Sequence, residues 1–499
     1  MVMKYLSVKS ANTDRLGERV HVKATRRDLL KQLVAMSALT GASLMQSQLG
    51  FATTGRTKQN ELLLQSTSRS DAGYEALRQG LTWKPNIPAR YPDIIVQAAS
   101  EKEVVWALAF AHDNNMQVVT RCSGHNIDTL RDGGMLLDIS PMHDFSIDKT
   151  AMQASIQPAL ISFLFQAHLA RQGLSFPVPD CHTVALGGYL LGGGYSSMGF
   201  YWGDGPACYS ILAADVVLAD GTKLRVSEKE NSDIFWAVRG IGPGFFGVVT
   251  RLELQLYPMP AVFMQSNYHY PLDELEAITQ GLAQLEEQKS QQVLLALVMY
   301  KPEGTSEPPT LKLNVRALGN SEAEVRELLS VYSNIAGNRV TEKNEYQPSN
   351  YGDFMYNPSR SERNFSDNIW TDDRSVMSAI VDKLSKMPEH SSFISTLYSD
   401  RQLSRLRDDS CFSARGRHFM SHHLFWQNAA DDPENREWYE DFCSTLWPYA
   451  TSYYVNQMEG TKQAERMKAC FSEENWKRLG ELRRKYDPER RFFAHMGWN

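Results

Sequence analysis

Residues 187–205 hold eight glycines in 19 positions, interleaved with Tyr189, Leu190, Leu191, Tyr195 and Trp202. That density is too high for a helix interior, where each glycine costs roughly 1 kcal/mol against alanine. The aliphatic and aromatic residues between the glycines are too apolar for a solvated linker. Such a segment must be packed, with its backbone drawn close to something flat or anionic, since glycine carries no Cβ and its amides can line an anion site. A thiol and an imidazole stand beside glycines of this kind. Cys181 heads Cys181-His182-Thr183-Val184-Ala185-Leu186-Gly187-Gly188, and His125 lies in Arg121-Cys122-Ser123-Gly124-His125-Asn126. The pair points to an enzyme that holds its cofactor through covalent bonds.

The flanking segments read as strands, a helix and a hairpin. Glu101-Lys102-Glu103 opens a helix with Val104, Val105, Leu108, Ala109 and Ala111 on its apolar side. Residues 117–120 form a strand that delivers the chain into the His125 loop, and 135–139 form another. Residues 214–219 turn at Asp220-Gly221 into 223–226, a hairpin signature. Thr250, Leu252, Leu254 and Leu256 alternate with Arg251, Glu253 and Gln255, as in a half-buried strand.

Together with Asp233-Ile234-Phe235-Trp236-Ala237-Val238-Arg239-Gly240, these motifs resemble the berberine-bridge-enzyme-like FAD-linked oxidases, within the vanillyl-alcohol oxidase and p-cresol methylhydroxylase superfamily. The resemblance runs from about Tyr74 to the C-terminus and is strongest over 91–258. It implies an α+β fold: a two-part FAD-binding domain of p-cresol methylhydroxylase type with an inserted α+β substrate domain. The expected boundaries are an export signal over 1–52, the FAD-binding domain over 53–258 and the substrate domain over 259–450, with 451–499 returning to the FAD-binding domain. Charge-patterned helical stretches at 271–289, 321–336 and 373–387 alternate with strands at 293–298 and 311–315 in the insertion.

The resemblance also implies the cofactor site. His125 would bond the flavin 8α-methyl and Cys181 its C6. Arg121, Cys122, Ser123, Gly124, Asn126, Thr183, Val184, Gly187, Gly188 and Gly193 would wrap the diphosphate and the dimethylbenzene edge, with Val248 and Val249 near the adenine. Tyr189 would offer a phenol near flavin N1–C2=O, where histidine is common in the family. Asn126, Tyr209 and Phe245 also depart from the usual residues. Tyr453-Tyr454-Val455-Asn456 resembles the family's Tyr-x-Asn segment. It makes Tyr454 the expected catalytic base, with Tyr453 the alternative and Asn456 beside the cofactor. Strand alternation would put Tyr454 and Asn456 on one face and Tyr453 on the other. A phenol starts near pKa 10, so nearby cations or hydrogen-bond donors must acidify it.

Other chemistries fit less well. Gly242-Pro243-Gly244-Phe245-Phe246-Gly247 satisfies G-x-G-x-x-G, but a helix-like segment precedes it and a strand follows. A Rossmann site needs the reverse order. His418, His422 and His423 have helical ligand spacing, yet their segment alternates like a strand, so they read as strand-surface histidines rather than a metal site. The net charge of −6 gives no reason to expect nucleic acid. The six cysteines show no CxxC pair and leave disulfide connectivity open.

Thr25-Arg26-Arg27-Asp28-Leu29-Leu30-Lys31 resembles a twin-arginine export signal, followed by a mild apolar run too short to span a bilayer. Gly50-Phe51-Ala52 supplies a cleavage pattern, so the expected compartment is periplasmic or extracellular, with no membrane anchor. The expected activity is oxidation of a small-molecule alcohol by hydride transfer to a bicovalent flavin, with oxygen as acceptor and hydrogen peroxide as product. A dehydrogenase using another acceptor, an amine oxidase, and a flavin-containing binding protein without turnover stay open. Pro179 lies where the family gates oxygen access, which bears on the choice of acceptor.

Overall fold

The structure, a computed structural model, describes residues 65–494 apart from 127–128, 197–198, 203–204, 287–288, 305–308, 336–338, 356–359, 361, 400–405 and 459–462. The export segment, with Arg26 and Arg27, lies outside the described residues.

The first sheet is built from the segments leading to His125. Strands run in the order Ser66–Ser68, Ile94–Gln97, Met135–Asp138, Val118–Arg121, the last three parallel. The Glu101–Asp113 helix crosses between two of them. Ser100 Oγ accepts the Glu103 N–H, and the Glu103 carboxylate accepts the Ala99 N–H, closing the helix start. The helix buries Val104, Ala107, Leu108 and Ala111, while Ala109 faces outward. Parallel register sets Arg121 opposite Asp138. The outer edge of Val118–Arg121 is closed by residues 491–493: the Val118 N–H donates to Arg491 O at 2.7 Å, and the Phe493 N–H donates to Val118 O at 3.0 Å.

A second, antiparallel sheet runs Phe145–Asp148, Gln153–Ile156, Gly247–Gln255, Ile211–Leu218, Lys223–Ser227. The last two strands are the hairpin expected around Asp220-Gly221. In Gly247–Gln255 the apolar alternation faces the core as read. Before that strand come the Ser232–Val238 helix and the Gly242–Gly244 turn, so the glycine motif runs helix, loop, strand.

Residues 262–426 form a seven-stranded antiparallel sheet. Its order is Glu342–Pro348, Val262–Tyr270, Thr310–Gly319, Val293–Lys301, Ser391–Ser399, His418–Trp426, Arg363–Thr371. Its two faces differ in chemistry. On one, Leu311, Leu313, Val315 and Ala317 pack with Leu295, Leu297 and Met299 in the core, on the side covered by helices Leu275–Leu285 and Glu322–Ser330. The other carries Gln265, Asn267, Asn314, Arg316, Tyr398, Thr396, Ser421, His423 and Asn368. This polar face looks onto the glycine-rich region, where Tyr195 packs against Phe419 at 4.3 Å between ring centroids.

Two expectations for this region are corrected. The helix expected over 373–387 is two short ones, Val376–Ala379 and Val381–Leu384. His418 and His422 are not at a sheet surface: both are buried, with His422 packed against Tyr439 and Phe442 of the Asp432–Leu446 helix, and His423 lies on the opposite face. Among the described residues, no helix is long and apolar enough to cross a membrane, and all six cysteines are free thiols.

Candidate active site

The two reactive side chains meet on one hydroxyl. Thr183 Oγ1 lies 3.0 Å from His125 Nε2 and 3.4 Å from Cys181 Sγ. Two loops must be fixed for this. Gly124 turns the first with φ +74°, and a Cβ there would run into the Leu81 carbonyl oxygen. The Ala185 N–H donates to Ser123 Oγ at 3.0 Å, tying the first loop to the second. The Ser162 N–H donates to Val184 O, and Thr129 holds Asn126 O through its hydroxyl at 2.8 Å. The imidazole stacks on Trp83 at 4.6 Å and 16°. Burial, with Lys84 and Arg360 nearby, pushes its pKa down to about 3, so the ring is neutral.

Arg121 is engaged by the fold. Its guanidinium makes a buried ion pair with Asp138 at 2.8 Å, and its Nε–H donates to Leu81 O, so it pins the strand end from which the His125 loop departs. The Cys122 thiol is pushed up to about 12 by burial and takes a backbone hydrogen bond from Gly188, which makes it a packing group rather than a nucleophile.

The glycine pair at the start of the Leu186–Leu191 helix divides its work. Gly187 packs on Pro158, where a Cβ would clash. Gly188 is exposed, with no heavy atom within 4 Å of where a Cβ would stand. Gly193, at φ +104°, lies against the Phe412 ring. Tyr189 departs from expectation: its hydroxyl lies within donor distance of Pro177 O, 2.9 Å, and Gly194 O, 3.0 Å, so this buried phenol is engaged by the fold. Phe245 packs against Phe246, and Tyr209 accepts the Arg407 N–H. Val248 and Val249 are buried in the second sheet, paired with Val217 and Val216. Pro179 is buried just before Asp180-Cys181.

Tyr453 to Asn456 is not a strand but an extended stretch entering a 3₁₀ turn at Val455–Gln457. The side chains still diverge. Tyr453 turns under the Arg466 guanidinium, 4.5 Å from its ring centroid, whereas the Tyr454 hydroxyl accepts the Tyr195 N–H and an Asn456 Nδ2–H, both at 3.1 Å. Asn456 Nδ2 also lies 3.2 Å from Gly188 O and 3.0 Å from Tyr189 O, which joins the base candidate to the glycine helix. Burial outweighs these donors and pushes the Tyr454 phenol up to about 12; no cation acidifies it among the described residues.

Several residues around the site had no readable signal. Asn368 clasps Tyr454: its Oδ1 accepts the Tyr454 N–H at 2.6 Å, and its Nδ2 donates to Tyr454 O and Gln457 O. Gln457 Nε2 reaches Ser421 Oγ at 2.7 Å, beside His423. Lys84 Nζ donates to Ser366 Oγ at 3.1 Å across the cleft. Trp83 and Lys84 belong to what reads in sequence only as a turn-rich lead.

The arrangement fits a flat cofactor. Gly188 opens a face no side chain fills, and the Trp83 indole N–H is buried without a partner among the described residues.

Comparison with known proteins gives this geometry its context. The profile of an FAD binding domain matches residues 92–227. An FAD-linked oxidoreductase of Hypoxylon pulicicidum is 26% identical over 416 residues, covering 81% of this chain and 90% of its own. Among solved structures, 6-hydroxy-D-nicotine oxidase from Arthrobacter nicotinovorans superposes with a TM-score of 0.74 at 22% identity, over 87% of this chain and 97% of that one. The glucooligosaccharide oxidase of Acremonium strictum, described with a 6-S-cysteinyl, 8α-N1-histidyl FAD, gives 0.72 at 19% identity over 88% and 98%. The chain thus matches an FAD binding domain over 92–227, is similar over most of its length to an FAD-linked oxidoreductase, and shares the α+β fold of these solved flavin oxidases.

Proposed function

We propose that this chain oxidises the C–OH of a small-molecule alcohol, a sugar or a secondary metabolite, with FAD held through His125 and Cys181 and with Tyr454 as proton acceptor. The observation that carries the reading is the convergence of His125, Cys181 and Thr183 just before the glycine helix and of Tyr454 and Asn456 on its Gly188 carbonyl. When bound, FAD supplies the two-electron acceptor. The chain's own residues do the rest. Gly188 and the loops at 121–126 and 181–187 leave room for the cofactor, although Arg121 and Tyr189 contribute structure rather than direct polar contact. The polar sheet face, with Asn314, Arg316, Tyr398, Ser421 and His423, presents donors and acceptors to a hydroxylated substrate. Tyr454 Oη takes the substrate proton.

Oxygen is the proposed electron acceptor, with hydrogen peroxide as product. The likeness to a nicotine oxidase favours a second reading, oxidation at a C–N bond. We take 53–258 with 451–499 as the cofactor domain and 259–450 as the substrate domain, a division the polar sheet face supports. Export through a twin-arginine signal completes the reading. Anaerobic titration of the flavin with sugars, secondary alcohols and cyclic amines tests it. Bleaching by an alcohol or sugar is the expected result, bleaching by amines alone transfers the activity to C–N oxidation, and no bleaching by any member sinks the catalytic reading.

A further inference from the structure

Thr183 has a geometry that no packing role requires. Its hydroxyl sits between the two atoms proposed to carry the cofactor, 3.0 Å from His125 Nε2 and 3.4 Å from Cys181 Sγ. A threonine hydroxyl has one hydrogen to donate and lone pairs to accept with, so it can serve both neighbours at once when one donates to it and it donates to the other. With Nε2–H donating to Oγ1 and Oγ1–H donating to sulfur, the imidazole lone pair lies on Nδ1. Trp83, stacked on the ring at 16°, opposes a ring rotation that would exchange the nitrogens.

We infer that Thr183 is the positioning residue for covalent cofactor attachment: its hydroxyl fixes the His125 tautomer so that Nδ1 makes the bond. The inference rests on the covalent reading above and deepens it. Each link replaces one flavin C–H and one protein N–H or S–H by a C–N or C–S bond. Two protons and two electrons therefore leave per link, and the electrons pass through the ring system to dioxygen, giving one hydrogen peroxide. At the histidyl link the proton lost is the one on Nε2. It leaves past Thr183 Oγ1, which holds it by the hydrogen bond until then, and ends with the flavin C–H proton on the hydrogen peroxide. Afterwards the hydroxyl turns to donate to the Nε2 lone pair, so the same contact supports the product. The low basicity of the buried imidazole agrees with a neutral ring before attachment.

The test follows attachment rather than turnover. Full-length chain produced under riboflavin starvation is given FAD. Noncovalent uptake is read by quenching of flavin fluorescence, and acid-stable flavin is followed by time-resolved peptide mapping. Thr183→Val keeps the shape and removes the hydroxyl. It should bind FAD yet form the histidyl link roughly 10²-fold more slowly, the lower range of general acid–base assistance, and Thr183→Ser should restore most of the rate. In the wild type, NMR of the isolated flavin peptide should place the bond at Nδ1. Attachment by Thr183→Val at the wild-type rate, or a wild-type bond at Nε2, overturns the inference, and the second readout needs no variant to fold. Wild-type protein that releases all its flavin in acid removes the covalent reading itself, and this one with it.

Discussion

Tyr454 is held by donors but not acidified. Two N–H groups reach its oxygen, yet burial dominates and its pKa stands at about 12, above the ordinary 10. A base must be deprotonated to accept, so the fraction competent near neutrality is small and grows with pH. The rate of anaerobic flavin reduction at saturating substrate should therefore rise about tenfold per pH unit from roughly pH 7 to 10, following the phenolate fraction. Tyr454→Phe should retain the flavin and lose roughly 10²–10⁴-fold in that rate, with the slope abolished. A pH-independent wild-type rate, or a phenylalanine variant at full speed, would give the proton to another group. Tyr453, stacked under Arg466, faces the wrong way for it. Motifs name residues, and the structure brings the named ones together, His125 with Cys181 through Thr183 and Tyr454 with Asn456. What motifs could not give was direction: Arg121 and Tyr189 sit in the expected segments, yet Asp138 and the carbonyls of Pro177 and Gly194 claim their polar ends.

At the scale of elements, alternation identified His418–Trp426 as a strand but could not say which side of its sheet would be covered. A strand buried on one face and polar on the other looks the same from either side until the helices are placed. The covering helices put His418 and His422 in the core. His418 Nε2 stands 3.9 Å from Glu286 Oε1, and burial holds the ring's pKa near 3, first through lost solvation and then through Arg374 and Arg417. Its folded pKa is depressed from 6.5, so the unfolded chain binds the extra proton between about pH 6.5 and 3, and stability falls as pH drops through that window. Urea midpoints measured from pH 7 to 4 should decline, and His418→Gln should decline less steeply while starting lower. Parallel slopes for the two proteins would show that His418 does not contribute to the acid sensitivity. The 373–387 segment teaches the same lesson from the other direction, since its charge pattern suits a helix but gives no warning of the break at Ile380.

Across the whole molecule the site is assembled from segments that no local pattern links. Lys84 reaches Ser366, Asn86 reaches Asn364 O, Arg360 reaches Thr82 O, and Asn456 reaches Gly188 O. The cleft thus exists only in a folded chain, and a route that carries folded proteins suits the proposed export. Replacing Arg26 and Arg27 with Lys-Lys should leave the flavin-bearing precursor inside the cell, as fractionation and blotting would report. Equal amounts of mature protein outside the cell for variant and wild type would refute that route without touching the oxidoreductase assignment.

The closure of the Val118–Arg121 edge by residues 491–493 sets a clock. The strand that aims the His125 loop gains its outer neighbour only after residues 491–493, some 370 positions later, have been synthesised. A nascent polypeptide still threaded through the ribosome holds that loop on an open edge, with Thr183 already made but its histidine not yet aimed. Cofactor capture is therefore expected to wait for residues 491–493, and a chain cut shortly after Asp487 should lose flavin uptake together with the Phe492 side chain that packs on Val118.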